Sequence, residues 1–466
     1  MCRINAVCLS ICLICQVVIA QDTAESAPQT VVQTIVDRLQ STSLEARRRA
    51  AIALGELGPA AREATPALIA ALKNDRDDKQ VRRSAATALG RIGDPALSAA
   101  PLLIRTLINV NDDRLVRAFS ARALGELGPD ACKSMPVLID AVQDQDEDIL
   151  VRRFAARAVA QGENADQVVG ALMKTLDDED VILRRISAGA MAQQGPPAKH
   201  AVPKLLSLFE DQDAIVRANA VRAVGRTEVS GEEVTKKVFA ALDDKNASVR
   251  ASAAQAVGRL RLKSPKTVTI LLGILSDPNY AVRQRSAFAL GRVGKDNKRV
   301  AIALSKALND KNEIVRQEAA MSLGRLGPVG KEAVPYLIAS LQHKEARARR
   351  DASLALAELG DRAQEAAPAL IKALADEDKF VRRNASFAFG SGLASQGHEA
   401  VPALTKLLKD EFLGVRRNAA IALGAMGPAA KEALPALQAA LKDDEPQVRN
   451  SARRAIREIN TASKSP

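Results

Sequence analysis

The chain has 466 residues, with 67 Lys and Arg against 55 Asp and Glu and a formal net charge of +12. That excess favours an acidic partner, but with no Trp, 2 Tyr and 9 Phe there is little to stack on bases or to build a sugar-binding platform. Nucleic acid and carbohydrate are therefore disfavoured, and 3 His on distant segments argue against a metal cluster or a histidine base.

At the N-terminus, Met1-Cys2-Arg3 precedes an apolar stretch from Ala6 to Ile19, and Val18-Ile19-Ala20 stands before Gln21. A basic start, an apolar run too short to span a bilayer comfortably and small residues at its end describe a secretory signal peptide over 1–20. Cleavage after Ala20 and a periplasmic or extracellular destination are predicted, with no stable membrane span once the signal is removed. A retained membrane anchor is the rival reading. Lipidation is disfavoured, because neither Cys12 nor Cys15 follows a small residue. Cys2, Cys8, Cys12 and Cys15 leave with the signal, so Cys132 remains without an internal disulfide partner. Its slot holds Arg62, Lys199, Lys331 or Lys431 in other copies, which reads as an exposed bystander thiol. Residues 21–28 are polar and form a predicted flexible lead-in.

From 29 to 460 a single motif recurs. An arginine stands at Arg47, Arg82, Arg117, Arg152, Arg184, Arg217, Arg250, Arg283, Arg316, Arg349, Arg382, Arg416 and Arg449, at intervals of 32 to 35 residues. Such a period marks a stacked helical repeat. Around Arg382 the unit runs from Pro368 through Leu374, across Asp376-Glu377-Asp378, then from Val381 to Gly390. Two short segments with helical spacing flank an acidic turn. Pro368 suits the first turn of a helix, where its missing N–H costs nothing, and Gly390 is read as a helix end. In the second segment Val381, Ala385, Ala388 and Phe389 form one stripe that should be buried. The predicted fold class is all-α, an α–α superhelix or solenoid of about thirteen helical hairpin repeats, on the order of 100 Å long at ordinary helix spacings. Residues 461–466 are a predicted disordered tail.

Prolines equivalent to Pro368 are Pro203, Pro335, Pro402 and Pro435, fourteen residues before their arginines, and Pro66, Pro101 and Pro136, sixteen before. The early copies thus carry two extra residues in the turn inside the hairpin. An aspartate stands six residues before the arginine at Asp146, Asp178, Asp211, Asp244, Asp277, Asp310, Asp376, Asp410 and Asp443. Acid and base at these places can hydrogen-bond from copy to copy, as in Asp211, Arg217, Asp244, Arg250, Asp277, Arg283, Asp310 and Arg316. Ser41, Arg76, Asn111 and His343 replace the aspartate elsewhere, which predicts breaks near the N-terminus and at the tenth copy.

At these residues the chain resembles the HEAT-repeat family, in particular its HEAT-like subgroup named after the phycobilisome lyases. Pro203, Asp211, Val216 and Arg217 match that family's order of first-helix proline, turn aspartate and Val-Arg pair. Gly170, Lys236, Thr269 and Ile302 depart from it in the proline slot, leaving those first-helix starts open. The resemblance implies a helical scaffold, and two enzymatic precedents. Bilin attachment is at odds with a signal peptide. The di-iron site of deoxyhypusine hydroxylase needs several His-Glu pairs, whereas His398-Glu399 is the only one present.

Catalytic, metal and cofactor residues are therefore predicted absent, because no slot holds an outlier able to do chemistry. A binding surface remains, on the outward positions of the second helices. One basic set comprises Arg350, Arg383 and Arg417, with Arg48, Arg83, Arg153 and Arg185 in the same slot earlier; another comprises Arg226, Arg259, Arg292 and Arg325 near the helix C-termini. Cations there are also favoured by the helix dipole alone. Phe288, Met321, Leu354, Phe387 and Ile421 line up in a third slot, as a peptide groove would require. Burial against the neighbouring helix accounts for that row equally well. The leading expectation is an exported, monomeric, non-enzymatic scaffold that binds another, acidic, protein. A lyase-like enzyme subunit and a binder of an anionic envelope polymer are the alternatives.

Overall fold

The computed structural model describes residues 28–74, 78–128, 134–262, 264 and 266–461. The expected signal peptide, nearly all of the lead-in, Arg76, Cys132 and residues 462–466 lie outside these. Every regular element among the described residues is helical, alternating a short first helix with a longer second one. No helix among them is long and apolar enough to cross a membrane. Contacts divide the chain into two units, 1–178 and 179–466.

Local sequence accounts for the helix boundaries. Second helices open on a capping side chain: Asp213, Asn246, Asn279, Asn312 and Asp378 each accept from a backbone N–H two or three residues on. First helices such as Ala367–Ala373 follow a short 3-10 segment and carry their proline in the first turn. Where the proline is missing, the helix starts earlier. Gly170 and Ile302 lie inside Ala165–Leu172 and Lys298–Ala307, which are capped by Asn164 and Asn297. Lys236 and Thr269 lie likewise inside Glu232–Ala240 and Thr267–Ile274.

Packing repeats from copy to copy. In the eleventh, Leu370, Leu374, Val381, Ala385, Ala388 and Phe389 are at most 1 % exposed. Each buried Val, Leu or Phe contributes roughly 1.5–3 kcal/mol. Within each unit, second helices stack directly on those of the next copy. Small residues make this approach possible: a Cβ added to Gly225 would come within 2.9 Å of Ala256 Cα, and one added to Gly258 within 2.8 Å of Ala289 Cα. The same slot corrects the reading of Gly390 as a helix end. Gly390 sits inside Lys379–Ser391, close to Ala422, and the helix stops at Gly392.

Candidate partner-binding face

In most copies the arginine of the recurring motif leaves the first turn of a second helix and grips the turn acid of the following copy. Arg217 donates from Nε to Asp244 Oδ2 at 2.8 Å and from Nη2 to Oδ1 at 2.9 Å. Its Nη1 donates to the carbonyls of Asp211 at 2.8 Å and Gln212 at 3.1 Å in its own copy. Arg250 with Asp277 and Arg283 with Asp310 repeat the arrangement. Bidentate geometry of this kind fixes orientation as well as supplying energy. These groups are turned into the stack, where a ligand cannot reach them: Arg283 is 7 % and Asp310 12 % exposed in the side chain.

The structure closes the two breaks predicted at Asn111 and His343. Arg82 reaches Asp112, the residue after Asn111, at 2.5 Å. Arg117 reaches Glu147 at 2.9 Å, so Glu147 rather than Asp146 is the ladder acid there. The longer turn of the early copies moves the acid one place closer to its own arginine. At the tenth copy the aspartate's tasks are shared. His343 Nδ1 accepts from the Glu345 N–H at 3.1 Å, while Arg316 turns to Asp351 in the next second helix.

A second ladder runs beside the first. Arg83 meets Asp113 at 2.8 Å, Arg185 meets Asp213 at 2.9 Å and Arg350 meets Asp378 at 2.7 Å, each acid being the cap of the next second helix. Arg350, predicted to face a partner, is thus engaged within the stack. The signal was present in the sequence: where Ala218, Ala251 and Gln284 replace the arginine, the facing caps are Asn246, Asn279 and Asn312. Arg383 faces Phe412 in place of an acid; it hydrogen-bonds Asn384 at 3.1 Å and lies 5.2 Å from the Phe380 ring centre. Arg417 is exposed and forms no ion pair among the described residues. Phe380 and Phe412, which the sequence reading did not single out, meet edge-on at 5.6 Å under Lys379.

The ladders make stability depend on pH. Hydrogen bonding from Arg185, with help from the Val216 and Ile215 N–H groups, holds the Asp213 carboxyl at about 2 against the upward push of burial. At Asp244, Asp277 and Asp310 burial pushes the carboxyl up, but the hydrogen bonds from the preceding arginine and from the cap residue's N–H outweigh it. A depressed acid contributes stability above its unfolded value of 3.8 and loses it as pH falls through the folded value. The melting temperature, followed by far-UV circular dichroism, is therefore expected to fall between about pH 4 and about pH 2. Asp213→Asn should flatten that fall. An unchanged melting temperature across the window would contradict the assignment.

The remaining predicted residues form an open strip. Phe288, Met321, Leu354 and Ile421 are half-buried and Phe387 is 41 % exposed, so the apolar row lies at the edge of the stack and not in its core. The two predicted stripes meet at Phe288, whose ring centre is 5.5 Å from the Arg292 guanidinium and 5.8 Å from that of Arg325. Arg325 is neutralised by Glu318 at 2.8 Å. Arg226 donates to the Ala192 carbonyl at 2.8 Å, and neither it nor Arg259 nor Arg292 forms an ion pair among the described residues. Arg285, beside Arg259, belongs to the same group and was missed because its slot holds unrelated residues in other copies. Among the described residues no group of three or more His, Cys, Asp or Glu could hold a metal ion.

Stacked hairpins of this kind, joined by an Asp–Arg ladder, define a helical solenoid. A family model described as HEAT repeats matches overlapping stretches from 32–125 to 367–457, and the chain belongs to the HEAT-repeat family. The match carries the family and no narrower subgroup. No curated protein matches the chain. Among solved structures it is similar to Kap95 in complex with Nup1, at 15% identity over 95% of this chain and 68% of that one, with a TM-score of 0.58. Kap95p bound to RanGDP gives 13% identity over 92% and 66%, with a TM-score of 0.55. Kap121p bound to Pho4p gives 14% over 94% and 54%, with a TM-score of 0.52. The chain thus spans about half to two thirds of the length of these karyopherins. Identities this low speak for the fold alone, a helical solenoid.

Proposed function

We propose that the chain is an exported, monomeric, non-enzymatic scaffold that holds another protein against the second helices of the 179–466 unit. The observation that carries this reading is the open apolar row from Phe288 to Ile421, beside arginines that form no ion pair in the stack. Half-exposed apolar side chains aligned over successive copies are what a bound segment would cover. The solved structures that pair Kap95 with Nup1 and Kap95p with RanGDP support the same use of the fold. The test is chemical cross-linking in the native host, on protein recovered outside the cytoplasm with Gln21 as its first residue. The wild type is expected to retain a defined partner and the Phe288→Ser/Phe387→Ser variant to lose it with helicity unchanged. Loss of helicity would make the row part of the core, and partner retention by the variant would remove the row from the interface.

A further inference from the structure

Five guanidinium groups gather along consecutive second helices. Arg222 lies in Ala214–Val224 and Arg226 just beyond it, Arg259 in Ala247–Leu260, and Arg285 and Arg292 in Tyr280–Val293. None of the five forms an ion pair among the described residues, although Arg217, Arg250 and Arg283 on the same helices all do. The groups act on one another. Burial, then repulsion by Arg226, Arg285 and Arg292, pushes Arg259 down; burial and Arg226 do the same to Arg222. Arg292 Nε is buried and has no acceptor. This concentration of like charge opposes folding and would be relieved by an anionic ligand.

Geometry narrows the choice of anion. Arg226, Arg259 and Arg292 occupy the same slot in successive copies, and packed helices lie roughly 8–10 Å apart. A peptide in the extended polyproline II conformation advances about 3.1 Å per residue with three residues per turn, so every third side chain returns to the same face, roughly 9 Å on, opposite the next arginine. Past Arg292 the character of the strip changes. Phe288, Met321 and Leu354 follow, Arg325 is already paired with Glu318, and exposed Glu358 fills the slot that held arginine. A nucleic-acid strand, charged at every nucleotide, would run into Glu358. It would also find the Phe288 ring already faced by Arg292 and Arg325.

We propose that this surface binds an extended acidic segment of the partner, with Asp or Glu at every third residue opposite Arg226, Arg259 and Arg292, followed by apolar residues along Phe288, Met321 and Leu354. This inference rests on the scaffold reading above and names the partner's chemistry. The test is fluorescence anisotropy of the full chain with a fluorescein-labelled synthetic peptide, Glu at every third position in its first half and Leu in its second. Binding is expected to weaken steeply with salt. Arg259→Glu should weaken it at least about tenfold, with partial recovery when a single lysine replaces the one glutamate of the peptide that faces this position. Because Arg259 forms no ion pair, Arg259→Gln should lose binding while the melting temperature stays level or rises. A fall in melting temperature would make the cluster structural and overturn the proposal. Equal affinity of wild type and Arg259→Glu for the peptide, or tighter binding of single-stranded DNA of the same charge, would overturn it too. Failure of the peptide to bind, while Phe288→Ser/Phe387→Ser still abolishes partner capture, overturns the acidic-segment inference alone; absence of any captured partner with the wild type overturns the scaffold reading.

Discussion

Arg316→Ala is expected to destabilise the 179–466 unit by about 3–5 kcal/mol, the usual cost of removing one partner of a buried ion pair. Arg316 is 3 % and Asp351 8 % exposed in the side chain, so alanine would leave a buried carboxylate without its hydrogen-bonded counter-ion. Exposed ion pairs are worth far less, and burial is what makes this rung different. The same substitution frees the Asp310 carbonyl, which Arg316 Nη1 contacts at 3.0 Å. Burial already pushes the Asp351 carboxyl up, with Arg316 offsetting part of that push. Without Arg316 the neutral acid is favoured further, so the penalty is present at neutral pH and shrinks as pH falls and Asp351 takes up a proton. Urea unfolding at several pH values measures this. The double variant Arg316→Ala/Asp351→Ala should recover most of the loss at neutral pH, because no buried charge is then left unpaired. A double variant as unstable as Arg316→Ala would show that the loss comes from packing.

Phe389→Ala is the second large effect, about 3–5 kcal/mol as expected when a fully buried phenylalanine is emptied. Phe389 heads the fully buried side chains by volume, in a chain whose interior is otherwise mostly Leu, Val and Ala. Alanine neighbours such as Ala385 and Ala388 are too short to collapse into the space. Each copy leans only on those beside it, so the damage should stay local. Hydrogen exchange is expected to accelerate across Lys379–Ser391 and the adjacent second helices while Ala214–Val224 keeps its protection. Uniform loss of protection throughout the unit would mean that its copies fold as one cooperative block.

How far the sequence reached can be judged residue by residue. Pro368, the acidic turn and the Val381-to-Phe389 stripe report forces that act inside one copy: backbone dihedral, capping and the apolar face of a single helix. All are carried by spacings of a few residues, and the repeat prints them many times over, so the helical hairpins and their family could be read without a structure. Spacing also placed acid and base for Arg217 and Asp244, because regular copies repeat the same turn length. Where turn length or residue type changed, spacing failed: Glu147 displaced Asp146, and Asp351 replaced the acid absent at His343.

What only the tertiary structure decided are contacts between copies, 26 to 35 residues apart in the chain. Gly390 looked like a stop because a glycine near a helix end usually is one; only the position of Ala422 reveals that it makes room for a neighbour. Arg350 and Arg259 look alike as basic residues on outward positions, yet one meets Asp378 and the other meets further arginines. A helix's own periodicity says which residues share a face. What that face meets depends on how closely and at what offset the next helix stacks, and that is set by small residues and side-chain shapes in another copy.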